Sequence, residues 1–102
     1  MLIVLTTAAD NESAEALARG IVEAKLAACV QILPRMTSVY FWEGKVQSEA
    51  EHLLLIKTAE EKYAEVERAI SANHSYEVPE IIAIRSSEVS EPYLKWLAEQ
   101  TR

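Results

Sequence analysis

Chemistry-bearing side chains concentrate in one stretch, NHSYEVPEI, from Asn73 to Ile81. His74 stands beside the amide of Asn73 and ahead of the carboxylates Glu77 and Glu80, and Pro79 keeps the segment out of ordinary helix. Such a set suits a metal-ligand group, a catalytic loop, or a turn whose imidazole bonds to backbone or to a carboxylate. Elsewhere the reactive side chains are isolated. Cys29 has no histidine near it in sequence, and free cysteine is among the most often buried side chains, so it is expected in the core. His52 falls on the opposite parity from Leu53 and Leu55 and is expected to face a neighbouring subunit or water. Lys57 either binds an anionic ligand or answers a glutamate, and the salt bridge is the preferred reading. With no glycine-rich phosphate loop, no paired catalytic motif and only two glycines, nucleotide binding through a P-loop or Rossmann turn is not expected, and no catalytic nucleophile or cofactor-binding residue stands out.

The bulk numbers narrow the partners. A chain of 102 residues, half of them hydrophobic, is enough for one domain over residues 1–102. Ten basic against sixteen acidic side chains give a net charge of −6, which repels phosphate backbones and anionic membranes and welcomes cations. Nucleic acid is not an expected partner. One cysteine suits a reducing compartment, and MLIVLTTAA lacks the basic flank and the length of a signal segment. No apolar run approaches the roughly 20 residues needed to span a bilayer, so the expected location is the cytoplasm.

These residues must be held by elements the pattern specifies. Leu2 to Leu5 reads as a strand buried on both faces. Asp10 and Asn11 supply N-cap chemistry for a helix carrying Leu17, Ile21, Ala24 and Ala28, in which Gly20 marks close packing or a tolerated cost. Cys29 to Leu33 is strand, Pro34 calls for a bulge or an edge, and Thr37 to Trp42 resumes. Glu43-Gly44-Lys45 turns the chain into a long strand from Val46 to Thr58. Thr58-Ala59-Glu60-Glu61 has the form of a capping box for a helix ending near Asn73 with Tyr63, Val66 and Ile70 on one face. Ile81 to Ile84 reads as a buried strand. Ser90 and Pro92 open a last helix with Leu94 and Leu97 inward. The order predicts a ferredoxin-like α+β domain, βαββαβ, with an extra C-terminal helix.

One dimension is awkward for a monomer. The strand from Val46 to Thr58 extends about 43 Å at roughly 3.3 Å per residue, whereas a globule of this size is about 34 Å across. The hairpin should overhang and present Val39, Tyr40, Phe41, Trp42 and Val46, a surface and an edge that call for another subunit. A homo-oligomer is expected.

Two stretches, SVYFWEGKV from Ser38 with Glu51, Lys57 and Thr58 behind it, and HSYEVPEI from His74, are joined by LAACV from Leu26 and YLKWL from Tyr93. Together they closely resemble the CutA divalent-cation tolerance family, and the resemblance covers practically the whole chain. It implies a ferredoxin-like subunit in a homotrimer built through hairpin strands, similar in architecture to trimeric nitrogen-regulatory signal proteins, with divalent cations, copper among them, as ligands and no established reaction. Family members credited with copper binding carry a cysteine at the end of the first strand and two adjacent histidines. Here those positions are Thr6 and Asn73-His74, and Ser75 follows where many members have proline. Only His74 remains a good transition-metal ligand, so any copper binding should be weak.

The leading reading is therefore a non-enzymatic trimer in divalent-cation tolerance or response to metal ions. It requires no cofactor, a divalent cation such as copper is the candidate ligand, and His74 is the one candidate metal residue, although a backbone-bonding role in the turn is preferred for it. Glu51, Glu77 and Glu80 offer carboxylates for a weak cation site at a subunit boundary or are solvated surface. Tyr40, Trp42, Tyr76 and Trp96 are read first as interface anchors and second as the lining of an intersubunit cleft for a small molecule. The rivals are a small-molecule signal-transduction module holding an anionic metabolite near Lys57 and His74, and a structural scaffold for a partner protein.

Overall fold

The apolar alternation of the first residues builds the central strand. In a computed structural model describing residues 1–102, β1 spans Leu2–Ala8 with Leu2, Val4, Thr6 and Ala8 buried against the helices. Ile3 and Leu5 point to the other face and are only half-buried, so the second face is not closed as the sequence suggested. The α1 helix, Asn11–Glu23, starts where Asp10 accepts from the Ser13 backbone N–H at 2.7 Å, the expected cap. It ends a turn earlier than the pattern implied. Lys25 sits at φ 61°, reversing the chain so that Ala28 lies outside the helix although still buried. A Cβ on Gly20 would meet nothing within 4 Å, so this glycine is a tolerated cost and not a close-packing device.

Strand β2, Cys29–Ile32, and β3, Met36–Trp42, run along the same edge of β4, Lys45–Thr58. The register shows why they are separate: Ile32 faces Leu54 and Met36 faces Glu51, leaving three residues against two, a bulge at Pro34. His52 Nδ1 lies 2.9 Å from the Leu33 carbonyl and satisfies it beside that break. At the tip, Glu43 and Gly44 adopt φ 51° and 76°, the paired left-handed conformations of a type I′ hairpin. The overhang is present: the subunit measures 45 × 26 × 24 Å.

The capping box does not form. Thr58 is fully buried at the end of β4 and donates to the Leu26 carbonyl at 2.6 Å, while one 3-10 turn, Glu60–Lys62, without a side-chain cap leads into α2, Tyr63–Asn73. Val66 and Ile70 of α2 join Leu17 and Ile21 of α1 over Val4, Leu54 and Ile56, which is the core. Strand β5, Ile82–Arg85, pairs with β1, completing the antiparallel order β2-β4-β1-β5 of a ferredoxin-like sheet. It is exposed and not buried: Ile82 and Ile84 share the outer sheet face with Leu5 and Ile3. Helix α3, Glu91–Gln100, buries Leu97 but leaves Leu94 exposed, contrary to the inward reading of both. It lies on the outer face too, where the Lys57 ammonium is 5.8 Å from the Tyr93 ring centroid.

Candidate functional site

Strand parity assembles the site. On β3, Met36, Ser38, Tyr40 and Trp42 point to one side, and their β4 partners put Glu51, Glu49, Gln47 and Lys45 on the same side. The opposite side of the hairpin carries Val39, Phe41 and Val46, which are 67%, 75% and 63% exposed. The overhang is thus two-faced, apolar on one side and aromatic-acidic on the other.

At the root of the aromatic-acidic side the segment after α2 closes over the sheet. His74 Nε2–H donates to the Thr7 carbonyl at 2.5 Å, and its Nδ1 accepts from the Tyr76 backbone N–H at 3.1 Å. These partners select one neutral tautomer and occupy both ring nitrogens, which is the turn-fixing role anticipated for this imidazole. The Tyr76 ring then packs against His74 with centroids 4.5 Å apart, and its hydroxyl donates to Glu51 Oε2 at 2.8 Å.

Glu51 is 8% exposed, an unusual place for a carboxylate. Burial alone would raise its pKa, but the Tyr76 hydrogen bond and the nearby Ser38 and Thr7 hydroxyls more than offset this and hold it below the usual value. The phenols respond in the opposite sense. Burial, the Glu51 hydrogen bond and the Glu51 charge push Tyr76 strongly upward, and burial with the Glu49 carboxylate raises Tyr40. Negative potential therefore fills the space between them.

That space is a cleft of about 770 Å³. Tyr40, Trp42 and Tyr76 give it aromatic walls, Glu49 and Glu51 its floor, and Glu77 and Glu80 reach it from the loop. No lysine, arginine or histidine lines it.

Several residues singled out in the sequence lie elsewhere. Trp96 packs on Tyr93 in α3 with ring centroids 5.5 Å apart, apart from the cleft lining. Lys57 sits by Tyr93 and forms no ion pair, so the expected salt bridge to a glutamate is replaced by an aromatic contact. Cys29 is a half-buried free thiol in β2. Thr6 is fully buried with its hydroxyl unpartnered, whereas Asn73 is exposed and donates to the Ala69 carbonyl at 2.8 Å. No group of three or more histidine, cysteine, aspartate or glutamate side chains converges as a metal ligand set. Ser38, Glu49 and Thr7 were not singled out from the sequence, though the alternation of Ser38, Tyr40 and Trp42 opposite Glu49 and Glu51 in a hairpin of known turn could have placed the first two.

Comparison with known proteins bears on the whole chain. The model of the CutA1 divalent ion tolerance protein family matches residues 2–100. A divalent-cation tolerance protein CutA of Thermus thermophilus is 42% identical over 99 residues, 97% of this chain and 96% of its own. A chloroplastic CutA protein of Arabidopsis thaliana is 46% identical over 101 residues, 99% of this chain; the chain spans only 56% of that relative. The crystal structure of CutA1 from Oryza sativa superposes with a TM-score of 0.96 at 46% identity, covering 99% of this chain and 93% of that one. Sequence and fold thus agree from the first strand to the last helix, and the chain belongs to the CutA1 divalent ion tolerance protein family.

Proposed function

We propose that this chain works in divalent-cation tolerance as a cytoplasmic homotrimer that catalyses no reaction and holds cations such as copper only weakly. One observation carries the assembly. The subunit has two unlike apolar surfaces, the hairpin side with Val39, Phe41 and Val46 and the outer sheet face with Ile82 and Ile84, the latter two 50% and 49% exposed. Unlike patches make head-to-tail contacts, which close into rings, while a two-fold dimer would need one self-complementary patch. The family resemblance supplies the number three.

Weak cation binding follows from His74. To ligate a metal it must release either the Thr7 carbonyl or the Tyr76 N–H, and no second imidazole or thiolate accompanies it. The free Cys29 suits a reducing compartment. Light scattering should give three times the 11.4 kDa chain mass, and Phe41→Glu should lower it by burying a charge in the contact. Calorimetric titration with copper should show a dissociation constant above about 1 µM. A monomer at micromolar concentration, or tight copper binding abolished by His74→Ala, would overturn the respective half of the proposal.

A further inference from the structure

The cleft beside Glu51 is not explained by assembly or by metal tolerance. Its volume of about 770 Å³ falls within the range of small-molecule sites. Its chemistry selects among ligands. An anion would meet Glu49, Glu51, Glu77 and Glu80 with no basic side chain in the lining, which removes the anionic metabolite as a fit. A bare divalent ion needs several oxygens converging at bonding distance, and no such group of three exists. Two observations beyond the carboxylates favour a third class. Three aromatic side chains, Tyr40, Trp42 and Tyr76, line the space, and aromatic rings attract organic cations that carry their charge on a large, weakly hydrated surface. Glu51, 8% exposed, is held in place by the Tyr76 hydroxyl, so a charge stands ready at the floor without being drawn into solvent.

We infer that the cleft between the hairpin root and the segment after α2 binds an alkylammonium group of a small metabolite, with Tyr40, Trp42 and Tyr76 around the cation and Glu49 and Glu51 as its counter-charge. The inference stands independently of the metal reading. Docking of subunits through the apolar side of the hairpin does not require the aromatic-acidic side to be filled.

Trp42 is its own reporter once the second indole is removed, and Trp96 lies outside the cleft, so Trp96→Phe leaves a protein whose emission reads the site. Choline and putrescine represent quaternary and primary ammonium sources, 3,3-dimethylbutan-1-ol is the neutral isostere of choline, and glutamate and magnesium chloride are the anionic and inorganic controls. The expected result is a saturable change with at least one ammonium probe, about tenfold or more tighter than the neutral isostere, and weakened by added salt. Which ammonium probe binds identifies the source. Tyr40→Leu keeps an apolar wall but loses the aromatic face, and should weaken the ammonium probe while leaving the isostere unchanged. Glu49→Gln should weaken it several-fold, with circular dichroism confirming that each variant is folded. Equal binding of the isostere would show a merely apolar pocket. Equal competition by magnesium would show an inorganic cation site, and no saturable response to either ammonium probe would show that the cleft is filled by another part of the assembly. Each of these three outcomes overturns the inference.

Discussion

Tyr76→Phe tests the Glu51 network with the smallest perturbation, since it deletes one hydroxyl and leaves the ring on His74. That hydroxyl donates at 2.8 Å to a carboxylate on a residue only 8% exposed, so water cannot readily replace it. A hydrogen bond to a charged group of this kind is worth about 1.5–3 kcal/mol, against about 0.5–1.5 kcal/mol for a neutral pair. In a Glu51→Gln background the same deletion should therefore cost about 1 kcal/mol less, a coupling that a double-mutant cycle in guanidinium at pH 7 resolves. The pH dependence adds an independent check. Although burial opposes it, the Tyr76 hydrogen bond with the nearby Ser38 and Thr7 hydroxyls leaves Glu51 with a lowered pKa in the folded chain. Its contribution is then fully present above the unfolded value of about 4.5 and is lost as pH falls through the lower folded value. Without the Tyr76 hydroxyl burial gains weight, the folded pKa rises toward the unfolded value, and the stability lost between the two shrinks, so the acid limb becomes shallower. Equal costs in the two backgrounds, together with an unchanged acid limb, would refute the network.

Two pairs of substitutions test the fold itself. Thr6→Val removes a fully buried hydroxyl that has no partner and should stabilise the chain by about 1 kcal/mol, whereas Thr58→Val leaves the Leu26 carbonyl without its 2.6 Å donor and should cost about 1–3 kcal/mol; guanidinium midpoints separate the two signs. Gly20→Ala has free space around the new methyl group and should raise stability by about 0.5–1 kcal/mol, while Gly44→Ala, equally free of clashes but at φ 76°, should lower it by about 1–2 kcal/mol. Similar melting temperatures for both alanine variants would show that backbone conformation does not set the cost at the hairpin tip.

What was legible in the sequence is what depends on near neighbours. Asp10 caps α1 because Ser13 is three residues away, Glu43-Gly44 turns the hairpin through its own dihedral angles, and Pro34 breaks the ladder because it lacks an N–H. Several misreadings are cases where the rest of the molecule, and not the local sequence, decides the outcome. Thr58 has the spacing of a capping residue, but its hydroxyl is taken by Leu26, 32 positions away in the chain. Ile82 and Ile84 are as apolar as core strand residues, yet they face outward and stay about half exposed. Glu51 looked like one more solvated acid among sixteen. Only the register that sets it opposite Met36, and the return of the chain at Tyr76, make it the buried floor of a cleft.

The hairpin carries both surfaces on one pair of strands. A period of two in β3 assigns Val39 and Phe41 to one side and Ser38, Tyr40 and Trp42 to the other, and the type I′ turn fixes which β4 residues join each set. Were the turn one residue longer, Glu49 and Glu51 would exchange sides with Ser48 and Ala50, placing carboxylates on the apolar side and taking both out of the cleft. Both surface patterns would then be lost together. The turn residues Glu43 and Gly44 belong to neither surface set, yet their conformation sets the register on which both depend.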